Sequence, residues 1–296
     1  MKQIDILCIG SVLWDTIGRS ASTMRVGSDV PGRITRLPGG VALNIAMTLQ
    51  KFGMKPALLS VVGEDDEGKE LVRRCDQMGL ITQFLYRSAD LPTDRYMAIE
   101  GKNGLIAATA DAYSLEAAGA KILEPLKDGN LGSREVPYSG PIALDGNLTT
   151  SLLRSISDDP LFAKADLRIA PASPGKAERL AAVLTHPGAT LYVNLEEANI
   201  LCQSKFTKTV DAAECLISRG AHRVLVTNGG LETCDGSIEG MITRSPTEVL
   251  VARITGAGDT FMAAHIASEL RGDTREQALE AALDAAATYV SGDIGA

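Results

Sequence analysis

Short apolar segments alternate with helical segments through the second half of the chain, and this alternation restricts the fold more than any other feature. The apolar segments lie at 142–144, 167–170, 190–193 and 224–227. Strands that are separated by helices pair in parallel, because the chain must cross back over the sheet before the next strand begins. The sequence therefore predicts a mainly parallel sheet with helices on both faces and binding sites beyond the carboxyl ends of its strands.

The first third of the chain contains two kinds of β segment. Apolar runs at 4–9 and 57–62 predict two further core strands. Residues 12–36 instead mix β-forming residues with charged and Pro-Gly positions, and residues 92–111 carry an Asn-Gly dipeptide at 103–104, which is typical of a tight hairpin. We expect the last two segments to form a small sheet of their own.

Length and composition fit one large or two smaller globular units. The chain has 296 residues, of which 45% are apolar and 4% aromatic, and no stretch has the composition of a linker. We therefore expect one domain over residues 1–296. Helices are predicted to end near Phe52 and to cover 68–78 and about 114–126.

Charge and cysteine usage narrow the class of protein. The formal net charge is −8, so a duplex nucleic acid is not an expected partner. The five cysteines form no C-x-x-C pair and suggest reduced thiols. No apolar run approaches the roughly 20 residues that span a bilayer, and no signal layout is present. A cytoplasmic protein without a membrane partner is the expectation.

Residues 255–259, Thr-Gly-Ala-Gly-Asp, precede apolar residues at helical spacing. A glycine-rich turn that opens a helix presents unpaired N–H groups and the positive end of the helix dipole, which suits phosphate oxygens. From these residues alone, Asp259 either caps the helix or faces a ligand.

The same motif resembles the C-terminal signature of the ribokinase-like sugar and nucleoside kinases, the PfkB family, and the likeness runs from Ile6 to about Ser291. It implies a ribokinase-like three-layer αβα sandwich with a small β lid formed by about 12–36 and 92–111. The implied reaction transfers a phosphoryl group from ATP to a primary hydroxyl. Asp259 would be the general base, with the amides of Gly256, Ala257 and Gly258 stabilising the transferred group.

Other segments resemble the remaining family motifs. From the residues alone, Gly39-Gly40 before a helix is also an ordinary turn, Asp15 also fits a loop, and Glu197 also fits a helix N-terminus. The implied substrate-binding residues are Asp15, Gly39, Gly40 and Asn44, and the implied nucleotide-binding residues are Asn194, Thr227, Gly229, Gly230, Thr255, Gly256 and Gly258. Glu197 would organise Mg²⁺, and a monovalent cation such as K⁺ would bind beside the Gly-Ala-Gly turn. Three positions depart from the family pattern: Ala170, Glu232 and Arg253.

Short features at 30–46, at 107–111 and at 145–147 resemble the pseudouridine kinases within the family, and add Asp111 and Asn147 to the implied substrate site. A small nucleoside or sugar is thus the expected substrate, and a homodimer through the lid is the expected assembly. Another sugar or nucleoside kinase, and a sensor that binds without turnover, stay open as alternatives. A dinucleotide-binding dehydrogenase and a P-loop enzyme are disfavoured, because neither G-x-G-x-x-G after the first strand nor G-x-x-x-x-G-K-[ST] occurs.

Overall fold

The computed structural model describes residues 3–252 and 255–292. Its strands and helices are numbered here in chain order. The strands are β1 (Ile6–Ile9), β2 (Leu13–Arg19), β3 (Arg33–Gly39), β4 (Pro56–Leu59), β5 (Val61–Gly63), β6 (Tyr86–Ser88), β7 (Arg95–Gly101), β8 (Gly104–Asp111), β9 (Pro141–Asp145), β10 (Asp166–Ala170), β11 (Ala189–Asn194), β12 (Arg223–Thr227), β13 (Thr233–Ser237) and β14 (Gly240–Arg244). The α-helices are α1 (Val41–Lys51), α2 (Asp66–Gln77), α3 (Tyr113–Ala118), α4 (Thr150–Asp158), α5 (Leu195–Cys202), α6 (Thr209–Ser218), α7 (Ala257–Leu270) and α8 (Arg275–Ser291).

The central sheet has eight strands in the order β14-β13-β12-β11-β10-β9-β1-β4. The six strands from β12 to β4 are parallel, as the alternation of apolar and helical segments predicts. The last two strands, β13 and β14, pair antiparallel at one edge. Sequence reasoning missed both of them, because their short sequences lack an apolar run.

Helices cover both faces of this sheet, which confirms the three-layer αβα architecture. Successive side chains of a strand point to opposite faces. Accordingly, Ile6 and Cys8 of β1 pack in a core with α1, α7 and α8, whereas Leu7 and Ile9 pack in a second core with helices of the other layer. All four side chains are fully buried.

A separate four-stranded sheet has the order β3-β2-β7-β8. Its outer hairpin, β7 and β8, turns at residues 102–103, next to the predicted Asn-Gly dipeptide. The register places Asp15, Tyr96 and Ala110 in one cross-strand row, and the same three residues contribute to the cavity described below. The small sheet therefore forms one wall of that cavity.

Helix boundaries differ from the sequence-based expectations for local reasons. Helix α2 begins at Asp66 rather than near 68, because the Asp65 carboxylate caps it by accepting a hydrogen bond from the N–H of Gly68 at 2.6 Å. The helix expected near 114–126 is α3 followed by a 3₁₀ segment, Gly119–Leu126, that contains Pro125. Within the described ranges, none of the helices combines the length and apolar character needed to cross a lipid bilayer.

Candidate active site

A cavity of about 400 Å³ lies at the carboxyl ends of the parallel strands. Its walls come from the loops after β1, β9, β10, β11 and β12, from the small sheet, and from the N-termini of α1 and α7. Parallel sheets place their binding sites at this edge. Of the residues predicted from sequence, the cavity is lined by Asp15, Gly40, Asn44, Asn147, Asn194, Glu197, Thr227, Thr255, Gly256, Gly258 and Asp259.

Helix α7 enters the cavity through a turn that only glycine adopts easily. Gly256, its N-cap residue, has φ of 89°, and a Cβ atom at this position would lie 2.5 Å from the hydroxyl oxygen of Tyr289. That hydroxyl donates a hydrogen bond of 2.7 Å to the carbonyl oxygen of Thr255. In a trans peptide the N–H points away from the preceding carbonyl. Tyr289 thus fixes the orientation of the peptide that carries the Gly256 N–H.

Asp259 is the third residue of α7 and lines the cavity. Its Oδ2 atom accepts a hydrogen bond of 2.9 Å from Nδ2 of Asn44, so the carboxylate is held by another helix rather than capping its own. Burial raises the pKa of Asp259 to about 7. The Asn44 hydrogen bond lowers it, and the nearby carboxylates of Asp145, Asp15 and Glu197 raise it further. A carboxylate with this pKa can act as a proton acceptor near neutral pH.

Asp15 faces the same cavity from β2, and burial raises its pKa to about 6. The two glycines before α1 make room for it and for its neighbours. A Cβ on Gly39 would lie 2.0 Å from an Asp15 carboxylate oxygen, and one on Gly40, where φ is 100°, would lie 2.5 Å from the carbonyl oxygen of Ser11. Close packing around the site therefore explains why both positions are glycine. Of the two, only Gly40 lines the cavity.

A buried polar cluster joins the ends of β1 and β9. The fully buried Asp145 carboxylate accepts hydrogen bonds from the N–H and hydroxyl of Ser11 and from the N–H of Asn147. The Asn147 side-chain amide donates to Ser11 Oγ at 3.1 Å and to Asp145 Oδ1 at 2.9 Å. Ser11 Oγ in turn accepts from the N–H of Val41 at the start of α1. The cluster fixes α1, and with it Asn44, relative to the sheet.

Asn194 and Glu197 form a capping box at the start of α5. The N–H of Asn194 donates to Glu197 Oε2 at 2.8 Å, and the N–H of Glu197 donates to Asn194 Oδ1 at 2.9 Å. Burial raises the pKa of Glu197 to about 7. Glu197 is thus structural as well as cavity-lining, so the expectation of a helix-terminal role is also met.

Several predicted residues do not line the cavity. Asp111 is exposed at the end of β8, although its neighbours Ala110 and Ala112 line the cavity. Gly229 and Gly230 lie on an exposed turn after β12, and Ala257 lies between the lining residues Gly256 and Gly258 without lining the cavity itself. Of the three departures from the family pattern, Ala170 lines the cavity, Glu232 is exposed and Arg253 lies outside the described residues.

Sequence reasoning missed Lys176 and Tyr192, which also line the cavity. Lys176 lies in a 3₁₀ segment, Pro174–Ala182, just after β10, and its Nζ donates to Oδ1 of Asn147. The feature of the sequence that could have indicated Lys176 is its position shortly after the core strand β10. Tyr192 lies in β11 and its hydroxyl is hydrogen bonded to Nδ1 of the buried His265, a contact that spacing does not reveal.

Metal ligands are sparse in this site. Within residues 3–252 and 255–292, no three His, Cys, Asp or Glu side chains converge as a metal cluster. A cavity with Asp15, Asp259 and Glu197 is nevertheless acidic. This donor set fits a hard cation such as Mg²⁺, which keeps several waters and takes few protein ligands.

The geometry defines a class of enzyme. A carboxylate at the mouth of a glycine-opened helix, next to groups that accept and donate hydrogen bonds to hydroxyls, is suited to phosphoryl transfer to an alcohol. The family model for the pfkB family carbohydrate kinases matches residues 3–293. The chain belongs to this family, which confirms the resemblance and makes it a sugar or nucleoside kinase; the family assignment also implies the use of ATP.

Known proteins of several kinds resemble the chain. It is 28% identical to a pseudouridine kinase of Escherichia coli over 89% of this chain and 83% of the relative. It is 27% identical to an uncharacterized sugar kinase of the same organism, over 99% and 80%. A ribokinase structure from Thermotoga maritima superposes with a TM-score of 0.80 at 20% identity, covering 99% of this chain and 95% of the other. At that identity the structural likeness shows the fold alone.

Proposed function

We propose that this protein phosphorylates the 5′-hydroxyl of a nucleoside with ATP, and that the nucleoside is pseudouridine. The observation that carries the proposal is the hydrogen bond between Asn44 and Asp259 in a cavity that they share with Asp15. The likeness to a pseudouridine kinase supports the choice of substrate.

In this proposal Asp15 and Asn44 hold the ribosyl hydroxyls. A carboxylate accepts hydrogen bonds from two neighbouring hydroxyls, and an amide both donates and accepts. Because Asn44 donates to Oδ2 of Asp259, the other oxygen, Oδ1, is left to accept the proton of the primary hydroxyl. Proton removal makes the oxygen a better nucleophile towards the terminal phosphoryl group of ATP.

The N–H groups at the start of α7 stabilise the charge on the transferring group, with Thr255, Gly256 and Gly258 at the cavity wall. Thr227 and Asn194, the last residues of the neighbouring strands β12 and β11, would lie along the nucleotide phosphates. Mg²⁺, when bound, would neutralise phosphate charge, and Glu197 would hold its waters. The small sheet of β2, β3, β7 and β8 closes the cavity and excludes water, so that ATP is not hydrolysed.

Three further features belong to the proposal. A monovalent cation beside the turn would compete with Tyr289 for the carbonyl oxygen of Thr255. Dimerisation would use the outer face of the small sheet, where Ile34, Met97 and Ile99 are 77%, 56% and 40% exposed. Their register places them on the face opposite Asp15, where they form an apolar surface that a second copy would cover. The cytoplasm, which supplies ATP, is the proposed location.

A substrate panel tests the function. Purified protein with ATP and Mg²⁺ is assayed on pseudouridine, uridine, adenosine, ribose and fructose, with product mass and ADP release as readouts. The expected result is the highest kcat/KM on pseudouridine and loss of activity when EDTA removes the metal. A preference for a free sugar would replace the substrate assignment. Binding without turnover of any of them would favour the sensor.

A further inference from the structure

Lys176 places a positive charge at the cavity wall in a way that the reaction described above does not use. Its Nζ donates to one acceptor, Oδ1 of Asn147. An ammonium group has three N–H donors and no acceptor. Two donors therefore remain for other partners, and Lys176 lines the cavity.

The charge of Lys176 has no carboxylate partner within the described part of the chain. Arg179, three residues further on, pairs with Glu116 at 3.0 Å and donates to the Asn147 carbonyl oxygen at 2.9 Å. Lys176 instead contacts a neutral amide. Burial together with Arg179 lowers its pKa, whereas the carboxylates of Asp145 and Glu116 raise it from beyond ion-pair distance. Partly buried charges are normally paired. An ammonium without a carboxylate partner at a cavity wall is therefore suited to acceptor atoms of a ligand.

The surroundings of Lys176 indicate which ligand. Asn147, its partner, is hydrogen bonded to Ser11, and these two residues follow β9 and β1. The residues assigned to the nucleotide phosphates, Asn194 and Thr227, are the last residues of β11 and β12, which lie on the other side of β10. Lys176 is thus linked to the half of the sheet edge that holds Asp15 and Asn44. A group that it binds there belongs to the acceptor substrate.

We propose that Lys176, oriented by Asn147, donates a hydrogen bond to the 4-carbonyl oxygen of the base of the nucleoside substrate and so selects dioxopyrimidine nucleosides. This inference rests on the proposed nucleoside kinase function. Cytosine and adenine carry an exocyclic amino group, a donor, in place of this carbonyl, so an ammonium held at that position finds no acceptor there. A free sugar carries no base for Lys176 to bind. Lys176 therefore favours pseudouridine and uridine over cytidine, adenosine and ribose.

The test compares Lys176→Met, which removes the donors at similar length, with Lys176→Gln, which keeps an N–H₂ donor. Lys164→Met is the matched control, because Lys164 is exposed and lies outside the cavity. For Lys176→Met we expect KM for pseudouridine to rise roughly 10- to 100-fold, the size of a lost hydrogen bond to a charged group. KM for ATP should stay within about twofold, and Lys176→Gln should recover part of the loss.

Two outcomes overturn the inference. In one, KM for ATP rises while KM for pseudouridine does not, which assigns Lys176 to the nucleotide phosphates. In the other, turnover of ribose falls as much as turnover of pseudouridine, which makes the role of Lys176 structural. Both differ from failure of the proposed function, in which the unmodified protein phosphorylates no nucleoside. Thermal unfolding of each variant confirms that the compared proteins are folded.

Discussion

Asp259→Asn separates the chemical role of Asp259 from its structural role. Asparagine has nearly the same shape, and its side-chain oxygen can still accept the hydrogen bond from Nδ2 of Asn44. It cannot take up a proton from the substrate. Loss of a general base typically costs 10²- to 10⁴-fold in rate. We therefore expect kcat to fall by roughly 10³-fold while KM for both substrates changes little.

Although Asp259→Asn should lower kcat, it should also make the folded protein more stable relative to wild type as the pH rises. The pKa of Asp259 is raised from 3.8 to about 7 in the folded protein. The folded state thus binds the proton more tightly than the unfolded state, and wild-type stability falls as pH rises from about 4 to about 7. Each pH unit in this window is worth about 1.4 kcal/mol. Asp259 is only partly buried, so solvent in the cavity reduces the effect by about half.

Denaturant unfolding at pH 5 and pH 8 measures the effect. Relative to wild type, Asp259→Asn should gain about 1–2 kcal/mol between the two pH values. Asp158→Asn, an exposed aspartate on α4, is the matched control and should show no such gain. An equal pH dependence for wild type and Asp259→Asn would refute the raised pKa. Near-normal kcat in Asp259→Asn would refute its role as the base.

Three further predictions follow from the site. Asp259 must be ionised to take up the substrate proton, and Asp15 must be ionised to accept hydrogen bonds at both oxygens. Because burial raises their pKa values to about 7 and about 6, kcat/KM should increase from pH 5 to pH 8, and a flat profile would contradict this. Tyr289→Phe removes the donor to the Thr255 carbonyl and should lower kcat by roughly 10-fold. Tyr113→Phe, which changes an exposed tyrosine, is the control. Equal rates for Tyr289→Phe and wild type would show that the turn keeps its conformation without this hydrogen bond. Ile99→Glu should shift the mass measured by light scattering from dimer to monomer, and an unchanged mass would exclude the outer face of the small sheet as the interface.

The sequence predicted the parallel sheet because each central strand is buried on both faces and reads as a continuous apolar run. Strand β13, Thr-Cys-Asp-Gly-Ser, could not be predicted in this way, although all five of its residues are buried. Its central Asp235 is fully buried and pairs with Arg223 at 2.5 Å and with Arg275 at 3.0 Å. Partners this far away in sequence leave no local pattern.

In the candidate site, too, some residues could be predicted from local patterns and others could not. Asp259 and Asn44 could be identified because each stands in a short local motif, and the fold brings them within hydrogen-bond distance although they are 215 positions apart. The contact between Ser11 and Asp145 spans 134 positions, and no single motif contains both residues. The proposed role of Lys176 likewise could not be predicted from sequence, because it depends on the hydrogen bond to the side-chain amide of Asn147. Local motifs therefore predicted the residues that we propose to react, whereas the residues that position them could be identified only from the structure.

The most direct measurement is the product formed from pseudouridine and ATP by wild type and by Asp259→Asn, identified by mass and by phosphorus NMR. We expect pseudouridine 5′-phosphate and an equal amount of ADP from wild type, and almost none of either from the variant. If wild type phosphorylates no nucleoside or sugar, or if the variant forms the product at the wild-type rate, the assigned chemistry at Asp259 is wrong.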